Sequence, residues 1–225
     1  MQKTWTLALL FALLWSARAD AGTILGEVTA KGRDLPGGAG GGAYDSKKYK
    51  FIEKMDYDEV TEFVVYIEAP YSADFAKFAK SQRVVVQENA TFSPRVMPIL
   101  VGTEVEWPNE DDIYHNVFSF SQTKQFDLGL YKDEIKKVVF DKPGRIDVFC
   151  SIHKNMSCII LVLENPWFAA TDADRRYEIK DVPAGTYKLT AWHERMPPQT
   201  VDVTVPEEGS VTVDFDMGIK GLPTY

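Results

Sequence analysis

Seven consecutive residues, Cys150-Ser151-Ile152-His153-Lys154-Asn155-Met156, set a cysteine, a histidine and a methionine at three-residue spacing. The chain holds only two cysteines and three histidines, so the coincidence asks for a reason. Thiolate, imidazole and thioether are soft or borderline metal ligands. They are also ordinary interior groups, since Met fills irregular gaps and a free Cys packs as a small hydrophobe. The spacing alone leaves a metal site and a buried turn both open.

His115 adds to the first reading. It lies upstream in Asn109-Glu110-Asp111-Asp112-Ile113-Tyr114-His115-Asn116-Val117, just before an apolar run. Two His, one Cys and one Met are the donor set of a mononuclear copper site with a trigonal His2Cys plane and a long axial Met. On this reading Cys150 ends a strand and a tight loop brings His153 and Met156 back over the metal. His115 then comes from a neighbouring strand end, at the pole of a β-sandwich. Asn116, next to His115, is the candidate to tie the two ligand segments together. Glu110, Asp111 and Asp112 either steer a basic partner or form a solvated loop.

Other chemistries fail on spacing. Cys158 follows Met156 and so cannot bracket the loop as a binuclear copper centre requires. No C-x-x-C-H haem site, His-x-His pair, catalytic triad or paired acids can be placed. A Cys150–Cys158 disulfide would close a very small loop and add little stability. Cys158, flanked by Ile, Leu and Val, reads as a buried strand thiol, and His193 in Ala191-Trp192-His193-Glu194 reads as structural.

The elements that must position these groups are almost all strands. Thr23–Thr29, Phe63–Ile67, Arg83–Gln87, Met97–Val101, Glu104–Trp107, Asn116–Phe120, Lys136–Phe140, Gly144–Phe149 and Cys158–Leu163 carry β-branched and aromatic patterns with turn punctuation. Ser72–Lys80 reads as one short helix capped by Ser72, with Phe75, Phe78 and Ala79 on one face. After Asn165-Pro166 come Tyr177–Ile179, Gly185–Trp192, Thr200–Val205 and Ser210–Asp216. This second set is too short for a sandwich of its own, and strands from 23–67 are expected to complete it. The expected fold is therefore all-β: a Greek-key sandwich at 82–163 inserted into a smaller one made of 22–81 and 164–225. The glycine run and charged stretch at 33–62 read as a flexible insertion.

The first residues set the compartment. Lys3, an apolar Thr6–Trp15 and small residues at Ala17, Ala19 and Ala21 have the form of a secretory leader over 1–21, cut after Ala19 or Ala21. A soluble, exported chain, periplasmic in a bacterium, with no membrane span is expected. The formal charge of −8 argues against nucleic acid and anionic membranes and suits solubility or a basic partner.

Residues 84–163 resemble a plastocyanin/azurin-type cupredoxin. The residues that carry this are Asn89, Phe92-Ser93-Pro94, Val101-Gly102-Thr103-Glu104-Val105-Glu106-Trp107, Asn109, His115-Asn116-Val117, Phe126, Phe140, Gly144 and the Cys150–Met156 run. In its short loop the chain is similar to the amicyanins. The resemblance implies one type 1 copper per chain on His115, Cys150, His153 and Met156, and a one-electron carrier rather than an enzyme. It implies an electron port at His153, with Pro94, Met97, Pro98 and Phe118 as a surrounding apolar patch, docking a cytochrome c or dehydrogenase-like redox partner. A monomer is expected. The alternatives are a copper-delivery protein without electron transfer and a structural module with a vestigial site. Val64-Val65-Tyr66-Ile67-Glu68, Thr171-Asp172-Ala173-Asp174, Val182-Pro183-Ala184-Gly185-Thr186-Tyr187, Trp192 and His193 look like the flanking segments of exported cupredoxin-like proteins labelled methylamine utilisation proteins. Their flanking module resembles a carboxypeptidase regulatory-like, transthyretin-like sandwich. Arg175-Arg176 stand where that family has a glycine turn.

Overall fold

A computed structural model describes residues 21–31, 60–70, 72–79 and 83–218. Apart from Ala21, the expected leader lies outside these residues, and so does the expected insertion apart from 60–62. The strands are β1 (Ala21–Lys31), β2 (Val64–Ile67), β3 (Arg83–Val84), β4 (Val86–Glu88), β5 (Thr91–Ser93) and β6 (Val96–Leu100). There follow β7 (Thr103–Pro108), β8 (His115–Ser121), β9 (Lys124–Tyr131), β10 (Ile135–Phe140), β11 (Gly144–Phe149) and β12 (Ser157–Leu163). The last are β13 (Phe168–Ala170), β14 (Arg176–Pro183), β15 (Gly185–His193), β16 (Met196–Val205), β17 (Ser210–Thr212) and β18 (Phe215–Gly218).

The fold is all-β, in two sandwiches. In the first, the sheet β6-β12-β11-β8-β9 faces β10-β7-β3, with the β4-β5 hairpin beside them. Alternate residues of both sheets meet in one core around Trp107, Phe140, Ile99 and Ile146, as the period-2 side-chain alternation of strands requires. In the second, β14-β1-β17, with β18 also on β1, faces β13-β2-β15-β16. Its core holds Ile24, Phe63, Ile67, Leu189 and Met217. Residues from both ends of the described chain thus share one core.

A third apolar cluster joins the sandwiches: Val96, Ile159, Leu161 and Leu163 of the first against Val64 of the second, with Tyr66, Phe168 and Trp192 alongside. β12 is therefore covered on both faces. Its Cys158, Ile160 and Val162 enter the first core, and its Ile159, Leu161 and Leu163 enter the joint. β2 behaves likewise, with Val65 and Ile67 in the second core and Val64 in the joint. A strand buried on both faces must be apolar at consecutive positions rather than alternate ones, which is what Cys158–Leu163 and Phe63–Ile67 are.

The structure departs locally from the sequence expectations. The helix at 72–80 is one 3-10 turn, Ala73–Lys77, with Ser72 Oγ accepting the Asp74 N–H at 3.3 Å. It is too short to turn an apolar stripe inward: Phe78 is half exposed and Phe75 packs edge-on against Trp167, centroids 5.2 Å apart. Arg83–Gln87 splits at Val85, and Ser210–Asp216 splits into β17 and β18. Strands β5, β9 and β13 were not anticipated. Arg175, at the position of the missing glycine, takes a left-handed φ of 64°.

Candidate metal centre

Two segments meet at one pole of the first sandwich, the start of β8 and the loop between β11 and β12. His115 begins β8, Cys150 follows the last residue of β11, His153 sits in the loop, and Met156 precedes β12. The loop folds on itself. The Cys150 N–H donates to Met156 O at 3.1 Å, and the Met156 N–H donates to His153 O at 3.1 Å. The backbone thus fixes Met156 next to Cys150 without help from a ligand. Cys150, Met156 and His115 are buried and His153 is half-buried.

The sulfur and two imidazole nitrogens converge. His115 Nδ1 lies 3.0 Å from His153 Nδ1, and Cys150 Sγ lies 4.0 Å and 3.6 Å from these two atoms. Together they form the cluster of metal-ligating side chains found among the described residues. A triangle with those sides has a centre roughly 2.1 Å from each corner, close to a transition-metal bond to nitrogen (~2.0–2.1 Å) and a little under one to thiolate (~2.3 Å). The donor set and its spacing therefore fit one metal ion.

Asp111, taken in the sequence as part of a surface acidic run, points inward. Its Oδ2 lies 2.7 Å from His115 Nε2 and accepts the Ala90 N–H at 2.9 Å, while Oδ1 accepts the Asn89 N–H at 2.7 Å. Burial works to raise the Asp111 pKa, but hydrogen bonds from Ala90, His115 and Asn89 outweigh it and hold the carboxyl below the usual carboxylate range. An ionised carboxylate can only accept, so His115 donates to it from Nε2 and presents Nδ1 to Cys150 and His153. A carboxylate or carbonyl behind an imidazole is the usual means of fixing a ligand's tautomer. Glu110 and Asp112 stay at the surface. His115 lies only four residues on, but the two amides that also hold the carboxylate belong to the distant β4-β5 turn, so the sequence does not set Asp111 apart from its neighbours.

Asn116 is buried and spans the two segments. Its Oδ1 accepts the Ser151 N–H at 3.2 Å, and its Nδ2 donates to Asp127 Oδ1 at 2.7 Å. The β8–β9 register shifts between Asn116 and Phe118. The extra residue lies in β9, where Gly129 has a φ of 67° and its N–H donates to the same Asp127 oxygen at 2.8 Å. Tyr131, paired with His115 across the strands, is buried. Its hydroxyl donates to Trp107 O at 2.8 Å and accepts from Gln87 Nε2 at 2.6 Å. Burial pushes its pKa up to about 12, with the Gln87 hydrogen bond opposing.

Met97 is buried in the core and cannot form a surface patch, and Phe118 faces outward among Phe120 and Phe149. Both cysteines are free thiols. Cys158 is 1% exposed, and burial raises its pKa. His193 packs tilted against Phe63, centroids 5.2 Å apart, and its Nδ1 accepts the Arg195 N–H at 3.2 Å.

No protein-family model and no curated protein matches the chain. Among solved structures, one likeness is to a copper-containing nitrite reductase from Thermus scotoductus SA-01, 30% identical with a TM-score of 0.36. It covers 38% of this chain, and the chain spans only 23% of that protein's length. An amicyanin variant in its Cu(I) form is 19% identical over 44% of this chain and 98% of its own, with a TM-score of 0.35. A purple cupredoxin from Nitrosopumilus maritimus is 24% identical over 37% of this chain and 100% of its own, with a TM-score of 0.32.

Proposed function

We propose that His115, Cys150, His153 and Met156 hold one copper ion as a type 1 centre, and that the protein carries single electrons between redox proteins outside the cytoplasm. The observation that carries this reading is the convergence of one buried thiol and two imidazole nitrogens on a common point. Bound copper would supply the one-electron couple.

The chain's own residues do the rest. Asp111 orients His115. Asn116 ties the loop at Ser151 to β8. The Cys150–Met156 and Met156–His153 backbone bonds hold the loop in one shape in advance, so little need move when charge changes. His153 is the most exposed donor and is the proposed port. Its exposed neighbour Ile152, with Ile113 and Tyr114 beside His115, suits the small apolar contact typical of transient redox encounters. A cytochrome c or dehydrogenase-like protein is the proposed partner of a monomeric carrier. Among the described residues no helix is long and apolar enough to cross a membrane. The leader read in residues 1–21 supports export.

Voltammetry of the copper-loaded protein tests the carrier role. A reversible one-electron wave with rapid self-exchange is expected. Tight Cu(I) binding with no retained Cu(II) would replace the carrier with a copper-handling role.

A further inference from the structure

Arg95 lies between β5 and β6, away from the metal cluster, yet it connects the ligand loop to the second sandwich. Its carbonyl accepts the Ile159 N–H at 2.7 Å. Ile159 is the third residue of β12, three positions after Met156. The Arg95 guanidinium reaches the other sandwich twice: Nε donates to Glu62 Oε2 at 2.6 Å and Nη2 to Glu194 Oε1 at 2.8 Å. All three side chains are partly shielded, Glu194 most, at 19% exposed. Glu62 holds a left-handed φ of 66°, which is costly for a residue with a Cβ. Backbone strain of this kind persists where the surroundings over-determine it, and here it accompanies the placement of the Glu62 carboxylate on Arg95. Arg145 extends the seam, 3.9 Å from Glu194 and with its guanidinium carbon over the Trp192 ring, 5.9 Å from the centroid.

We propose that Arg95 is a positioning residue for the metal loop, and that the second sandwich is a brace acting through it to hold the start of β12, and so Met156 and Cys150, in register. The inference rests on the copper reading for its consequence but not for its geometry. Isolated surface ion pairs add little. This one differs in being forked, shielded and bonded through its own main chain to the strand that leaves the site. Ile159, Leu161 and Leu163 packed on Val64 give the brace its apolar part.

The test uses the full exported chain, metal-free, with amide hydrogen exchange read by NMR. In Arg95→Met the Cys150, Met156 and Ile159 amides should exchange at least tenfold faster, while amides within β8 and β9 keep their protection. Glu62→Gln and Glu194→Gln, which leave Arg95 in place, should each give part of the effect, and Arg95→Lys should rescue part of it. In the copper-loaded protein the same variants should shift the reduction potential in the same order. Unchanged loop amides in Arg95→Met and Glu194→Gln, or acceleration spread evenly over the chain, would overturn the proposal. Failure to bind copper would remove the electronic consequence and leave the exchange result standing.

Discussion

Replacing Asp111 by Asn tests how the site is held in the absence of metal. The carboxylate accepts three hydrogen bonds, from Asn89 N–H, Ala90 N–H and His115 Nε2. An amide keeps one acceptor oxygen and presents an NH2 where the other stood, so at best one of the three bonds loses its acceptor and the other two lose its charge. Hydrogen bonds to a charged group contribute ~1.5–3 kcal/mol each. With the Asp111 side chain 15% exposed, the lower end applies, and the expected loss is about 3 kcal/mol. For a chain of this size that is a fall in melting temperature of roughly 6–12 °C. Urea unfolding of the metal-free protein by circular dichroism, at constant denaturant slope, measures it. Nitrogen NMR should also show His115 losing its fixed Nε2–H tautomer. A loss below ~0.5 kcal/mol with the tautomer unchanged would refute the reasoning, and water rather than Asp111 would then be serving these donors.

Two further outcomes are expected. Burial lowers the His193 pKa from 6.5, so the unfolded chain takes up a proton before the folded one does. Stability that His193 leaves intact above pH 6.5 should decline as pH falls below that value, and His193→Leu should flatten this part of the urea-midpoint profile; equal slopes in the two proteins would contradict it. Ala90 sits at a φ of 53° in the β4-β5 turn, where a Cβ costs ~1–2 kcal/mol. After the entropy of glycine in the unfolded chain is subtracted, Ala90→Gly should stabilise by about 0.5–1 kcal/mol, and a destabilised variant would show that the turn is not strained.

What the sequence revealed follows from which interactions are local. The cysteine, histidine and methionine of the loop could be picked out because seven residues contain them and a β-strand pattern flanks them. Cys158–Leu163 and Phe63–Ile67 read only as strands, and the joint between the sandwiches, which covers both faces of these unbroken apolar runs, shows in the structure alone. Asp111 was not legible, since its inward turn depends on two amides from a hairpin some twenty residues away. Strand β9 escaped because Asp127 and Gly129 look like turn residues; they form instead a bulge that brings Asp127 to Asn116. Arg175 could be flagged as a departure, but only the backbone shows that it occupies the left-handed conformation a glycine would favour.

The central claim is that the Cys150 thiolate and the two imidazoles hold copper. Its most direct test is the visible spectrum of residues 22–225 reduced, loaded with Cu(II) and compared with Cys150→Ser and Cys158→Ala. The account predicts an intense thiolate-to-copper absorption in the parent and in Cys158→Ala, absent from Cys150→Ser. No such band in the parent, or a band that survives in Cys150→Ser, would contradict it.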